Sequence, residues 1–187
     1  MAVLNAFLSV STWSAGASSP VRYSTRRAKV KTTDLLQFSV GAAFDILGQV
    51  TADVTQEQAD WRPPGKANTI GSIYSHILTY VDYYARNYLI ERNPQPVTVE
   101  SRSTELWMRD VQVDLSDLHA YAGQVQATVQ NWLSTVTPEE LERKELTTAG
   151  EISMAQALEL FIIWHINAHC GEISALKGCQ GLTGYPW

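Results

Sequence analysis

The chain has 187 residues, 45 % of them hydrophobic and 18 % charged, enough to bury the core of one ordinary domain and too few for two. Its net charge of -5 hides an asymmetry: Arg22, Arg26, Arg27, Lys29 and Lys31 precede the first acid, Asp34, and from there on 19 acidic residues face 9 basic ones. The acidic remainder argues against a nucleic-acid partner, which needs a basic face. No apolar run reaches the roughly 20 residues of a bilayer span, so no membrane partner is expected either; His165, Asn167 and Glu172 interrupt the most hydrophobic stretch. Cys170 and Cys179 are too few for a disulfide framework, and their spacing fits neither CxxC nor a zinc ribbon, so the expected compartment is the reducing cytoplasm.

Residues 1–31 read as an N-terminal extension, flexible or weakly packed. Met1 to Pro20 is apolar and Ser/Thr-rich, Val21 to Lys31 is basic without an acid, and the whole loosely resembles a transit peptide. The domain proper is 32–187, and its periodicity is helical almost throughout. Leu36, Val40, Ala43, Leu47 and Val50 alternate in steps of four and three, the spacing of one apolar helix face, with Thr32 or Thr33 as cap. Thr51 to Lys66 then reads as a loop, because Pro63 and Pro64 forbid helix continuation and Gly65 permits a tight turn.

Asn68 is the expected cap of a second helix, whose stripe of Ile70, Ile73, Ile77, Tyr80 or Val81, Tyr84 and Tyr88 stops before Asn93-Pro94-Gln95-Pro96. A long connection, Pro94 to Val113, leaves room for a short helical turn around Glu105 to Arg109. The third helix is the cleanest: Asp114 caps it and Leu115, Leu118, Ala122, Val125, Val129, Trp132 and Val136 keep the three-four alternation until Pro138. Residues 139–152 read as a second irregular connection. Ser153 caps a last helix whose stripe is Met154, Leu158, Phe161, His165, Ala168 or His169, Glu172 or Ile173, and Leu176, with Gly178 and Gly181 as stops.

The pattern predicts an all-α four-helix bundle with no competing strands. The short first loop suits antiparallel neighbours, and the two long links suit crossover connections.

His165 and His169 lie four apart, so on a helix both imidazoles reach the same point in space. A third donor is sought among the remaining histidines. His76 sits beside the second stripe, whereas His119 falls at the edge of the third and reads as partly exposed. Each imidazole buried without a partner costs about 1–3 kcal/mol, and a shared cation removes that cost through coordination. A lone histidine on an apolar face is more often a satisfied core residue; three converging ones are harder to explain that way.

The neighbours narrow the chemistry. Ile162 and Ile166 stand where a di-iron bundle would place Glu before each His, and Ile166 also stands where a metalloprotease HExxH would place its base. What remains is a mononuclear site for Zn, Ni, Fe or Mn, with positions open to water or substrate.

The segment Thr69-Ile70-Gly71-Ser72-Ile73-Tyr74-Ser75-His76-Ile77, the preceding Trp61-Arg62-Pro63-Pro64-Gly65, and His165-x-x-x-His169-Cys170-Gly171-Glu172-Ile173 followed by Leu176-Lys177-Gly178 resemble the DinB-like superfamily. The resemblance runs from about Thr33 to Gly184. It implies a divalent metal on His76, His165 and His169, a bundle with non-sequential helix order, and a homodimer. Relatives of this kind include transferases that use low-molecular-weight thiols such as mycothiol or bacillithiol, a thiol-dependent isomerase, and members without an assigned reaction. The expected partner is thus a small-molecule substrate, with a thiol as a further cofactor.

Around the three histidines, Tyr80 and Tyr83 follow His76 by one and nearly two turns, so their hydroxyls either contact a substrate or pack in the core. Glu172 follows His169 by three and is a fourth ligand, a partner behind the metal, a base, or solvated surface. Cys170 is expected to face a neighbouring helix. Trp61 and Trp164 either roof the site or fill the core. Two function classes follow: a metalloenzyme, or a non-catalytic bundle whose metal only stabilises a binding or dimerisation module.

Overall fold

The computed structural model describes residues 30–91, 113–147 and 149–185. Most of the expected extension and the expected turn at Glu105–Arg109 lie outside the described residues.

Helix α1, Thr32–Thr51, buries Leu36, Val40, Ala43, Leu47 and Val50 as its spacing predicts, and Phe44 with them. Its N-cap is Lys31, which makes no side-chain capping bond; Thr32 and Thr33 lie inside the first turn instead. The segment read as a loop holds a one-turn helix, α2, Gln56–Asp60, closed by a reciprocal cap. Gln58 N donates to Thr55 Oγ1 at 3.3 Å and Thr55 N to Gln58 Oε1 at 2.9 Å.

Helix α3, Ile70–Tyr84, is capped by Thr69 rather than Asn68: Ser72 N donates to Thr69 Oγ1 at 3.1 Å. It continues as a π-helical segment, Ala85–Ile90. Helix α4, Leu115–Thr135, is capped by Asp114, whose carboxylate accepts from Ser116 N at 2.8 Å. Pro138 opens a short α5, Pro138–Glu142, as first-turn proline allows.

The following residues are not irregular. Strands β1, Lys144–Thr147, and β2, Gly150–Ser153, form an antiparallel hairpin running from Lys144↔Ser153 to Thr147↔Gly150. Gly150 takes φ 94°, a conformation that favours glycine. The last helix, α6, then runs as Met154–Leu158, a π-helical segment Glu159–Trp164, and His165–Cys179. Ser153 caps it, as expected, with Gln156 completing the box.

The four long helices α1, α3, α4 and α6 form the bundle, with α1 and α3 each packed on both α4 and α6. Consecutive α1 and α3 are therefore diagonal, not neighbours as their short connection suggested. The α2 link crosses the end of the bundle, where Ala59 packs against Gly71 so closely that an added Cβ would meet its carbonyl at 3.3 Å. Gln37 near the start of α1 donates to Leu133 O near the end of α4 at 2.9 Å, so these two are antiparallel.

Helices α1 and α6 run parallel, because their C-terminal ends are tied together. Lys177, 2 % exposed, donates from Nζ to Val50 O at 3.1 Å and to Asp53 Oδ1 at 2.5 Å. That hydrogen bond holds the Asp53 carboxyl below the usual range. The core between the helices is filled by Leu47, Tyr74, Ile77, Leu133, Leu158, Ile166 and Ile173. Among the described residues no helix is long and apolar enough to cross a membrane, and Cys170 and Cys179 are both free thiols.

Candidate metal centre

Because α3 and α6 are antiparallel and adjacent, the second turn of α3 meets the middle of α6. His76, His165 and His169 come together there, each offering one nitrogen, and the three nitrogens lie within 4.8 Å of one another. Ring centroids are 4.9 Å apart for His76 and His165, 5.0 Å for His76 and His169, and 4.6 Å for His165 and His169. The four-residue spacing thus brings His165 and His169 to one point, and diagonal topology leaves α3 free to supply the third.

Burial decides the protonation state. The interior disfavours a charged imidazole, pushing His76 down to about 3 and His165 to about 2, with neighbouring histidines adding repulsion. Both are therefore neutral at physiological pH and carry a lone pair. His169 is oriented differently: its Nδ1 lies 2.8 Å from Glu172 Oε2, so Nδ1–H donates to that carboxylate and turns Nε2 toward the other two rings.

These residues suit a divalent cation. The Nε2 of His165, in a residue 7 % exposed, has no hydrogen-bond partner among the described residues. A buried acceptor of that kind is costly unless something coordinates it. Three imidazole nitrogens match the preferences of Zn, Ni, Fe and Mn.

Glu172 lies behind His169, outside the group of three donors, so the structure does not bring it in as a fourth ligand. Its side chain is 56 % exposed and forms part of a cleft wall with Asn68, Ile73 and Leu176. Tyr80 stacks on His165, with centroids 3.9 Å apart and planes 13° from parallel, and also contacts Tyr84 at 4.7 Å. Tyr83 is half-buried one turn further on, edge-on to Tyr84 at 5.5 Å. Tyr84 stacks in turn on Phe161 and on Tyr88. Tyr80 therefore touches the histidine group, and Tyr83 joins the same aromatic cluster through Tyr84.

His119 is exposed on α4, with its Nδ1 3.2 Å from the Tyr74 hydroxyl, and takes no part in the group. Cys170 is fully buried in the packing of α6, where burial pushes its thiol up to about 12. Trp61 packs partly buried against the core, whereas Trp164 is 61 % exposed and fills nothing. Spacing alone did not single out Ser72, one turn before His76, whose hydroxyl is buried and unpartnered among the described residues.

Fold and site together define a four-helix bundle with a three-histidine group able to hold a metal ion. The chain belongs to the DinB superfamily, whose model matches residues 42–173. Two solved structures from Bacillus subtilis share the fold. YfiT, described as a probable metal-dependent hydrolase with an unusual four-helix bundle topology, is 20 % identical with a TM-score of 0.65, covering 86 % of this chain and 95 % of its own. YjoA, a DinB-like protein, is 17 % identical with a TM-score of 0.60, covering 82 % of this chain and 96 % of its own. Among curated proteins, none matches the sequence.

Proposed function

We propose that this protein is a mononuclear metal-dependent enzyme acting on a small molecule, with His76, His165 and His169 as the ligands. The carrying observation is the meeting of three imidazoles at one buried point, with no carboxylate or thiol joining them among the described residues. Three protein donors leave a tetrahedral ion one position for water or substrate, whereas a closed structural site uses four. A divalent ion held there supplies Lewis acidity, polarising a substrate oxygen or making water or a thiol easier to deprotonate.

The chain's own groups do the rest. Glu172 holds the tautomer of His169, Tyr80 fixes the plane of His165 by stacking, and the hydroxyls of Tyr80 and Tyr83 are the candidates to bond a substrate. Hydrolysis is the reaction favoured by the likeness to YfiT, described as a probable metal-dependent hydrolase. Transfer of a low-molecular-weight thiol of the mycothiol or bacillithiol type is the second reading. It is favoured by the engagement of Glu172 with His169, which leaves no other carboxylate beside the imidazoles among the described residues to serve as base for water.

A homodimer belongs to the same reading, supported by the exposed Leu35 and Phe38 of α1 and Trp164 of α6. A non-catalytic, metal-stabilised module is the alternative. Metal analysis with inner-sphere spectroscopy, followed by ester, amide and thiol-plus-electrophile substrates, separates them. One bound ion per chain with an exchangeable ligand and turnover is expected; a saturated ion with no turnover overturns the enzyme.

A further inference from the structure

Ser72 lies four residues before His76 on α3, and its side chain is 3 % exposed. Its Oγ is buried and has no hydrogen-bond partner among the described residues. A helical serine usually answers this by donating to the carbonyl four residues back, or by turning to water. Ser72 stands in the first turn of α3, where the residue four back, Asn68, precedes the Thr69 cap, so that carbonyl is not placed to answer it, and its own backbone N–H is satisfied by Thr69. An unmade hydrogen bond of this kind costs about 1–3 kcal/mol.

The position has a direction. Residues four apart on a helix are neighbours on one face, with Cβ atoms about 5–6 Å apart. Helical side chains also lean toward the N-terminus, so a long side chain covers the turn before its own Cα. The His76 imidazole therefore extends over the turn that carries Ser72. Tyr80, the next residue in the same four-step row, has its ring 5.6 Å from that of His76. The row Ser72, His76, Tyr80 thus places a hydroxyl on one side of the imidazole and a phenol on the other. Ser174 Oγ is also buried without a partner, but it sits against the Gly184 backbone, where an added Cβ would meet Ser174 O at 3.0 Å, and it faces the C-terminal tail.

We propose that the Ser72 hydroxyl is a positioning group of the histidine site, donating a hydrogen bond to a ligand that binds the metal through one atom. The ligand class is a small molecule with a donor to the ion and, a few bonds away, a second polar atom that accepts from the hydroxyl. This rests on the metal-centre reading above. On that reading the hydroxyl is kept unpartnered by the protein because the ligand satisfies it.

Cobalt(II)-loaded protein tests this with two probes, 2-mercaptoethanol and ethanethiol, which share a thiolate and differ in the hydroxyl two carbons away. Their affinities are read from the thiolate-to-cobalt absorption in the wild type and in Ser72→Ala and Ser72→Thr. Ser72→Ala is expected to weaken 2-mercaptoethanol by about tenfold, leave ethanethiol and the cobalt affinity unchanged, and Ser72→Thr to restore the difference. Metal-free Ser72→Ala is expected to melt about 2–4 °C higher than wild type, since an unsatisfied buried hydroxyl is gone. Equal weakening of both probes, loss of cobalt affinity, or a lower melting point in Ser72→Ala overturns the proposal. Failure of the wild type to bind cobalt overturns the metal centre itself, a separate result.

Discussion

Acid should unfold the metal-free protein through its own histidines. His76 and His165 drop from the ordinary 6.5 to about 3 and about 2 in the folded chain, principally because burial penalises the charged ring. Well below pH 6.5 and well above pH 3 the unfolded chain therefore holds about two more protons than the folded one, and stability must fall as pH falls through that window. The slope is about 1.4 kcal/mol per pH unit for each ring. From pH 7.5 to pH 5.0 the pair removes about 4 kcal/mol, a large part of the 5–15 kcal/mol typical of a domain. Urea unfolding followed by circular dichroism in the presence of a chelator, at half-unit steps, measures it. His165→Gln should remove close to half of the slope. A wild-type slope under about 1 kcal/mol per pH unit, or the same slope in His165→Gln, would refute the claim that these rings are buried and neutral.

Other substitutions probe the centre and the frame. His76→Ala and His169→Ala should each abolish stoichiometric metal binding in an equilibrium zinc titration, while His119→Ala, which only loses the contact with Tyr74, should leave it intact. Glu172→Ala frees the His169 tautomer and should weaken metal affinity by about 10–100-fold without unfolding the chain, as read by competition with a chromophoric chelator. Lys177→Ala should lower the melting temperature by roughly 4–8 °C, the equivalent of about 2 kcal/mol. Most of that loss comes from its buried stem and the Val50 carbonyl, because Asp53 is 58 % exposed and a solvated pair contributes little. Zinc at 1,000 times its dissociation constant should add about 4 kcal/mol to stability, visible as a shift of roughly 8–16 °C in calorimetry.

Amphipathic spacing is a local property, which is why the four long helices and the His165–His169 pair were readable from residue order alone. Pairing of distant segments is not local. His76 entered the group through its place beside an apolar stripe and through the family motif, while the diagonal relation of α1 and α3 had no trace in the length of their connection. The hairpin is not legible in the sequence because its strands are four residues long and Lys144-Glu145-Leu146-Thr147 and Gly150-Glu151-Ile152-Ser153 carry one apolar side chain each, too few to show an apolar–polar alternation, leaving Gly150 as its one strong signal. Adjacent Asn68 and Thr69 can both cap, and only the observed bond from Ser72 N chooses between them. The place of Glu172 was not legible either, since a spacing of three permits contact with His169 but does not say which way the carboxylate turns.

The π-helical segment before His165 has a readable cause. At 100° per residue, Met154, Leu158, Phe161 and His165 share one face, whereas Ile166, Cys170, Ile173 and Lys177 centre roughly 120° further round. All eight are buried. A straight α-helix could not turn both rows toward one core. Widening the helix by one residue over Glu159–Trp164 absorbs the slip, and Phe161, Ile162 and Ile163 are accordingly buried in succession. His165 stands at the join, held on the first row by its stack with Tyr80, while His169 sits between the rows and meets it from the second side. Deleting one residue from this segment should therefore misdirect either the histidines or the Ile166–Ile173 packing, and local stability and metal binding should fail together.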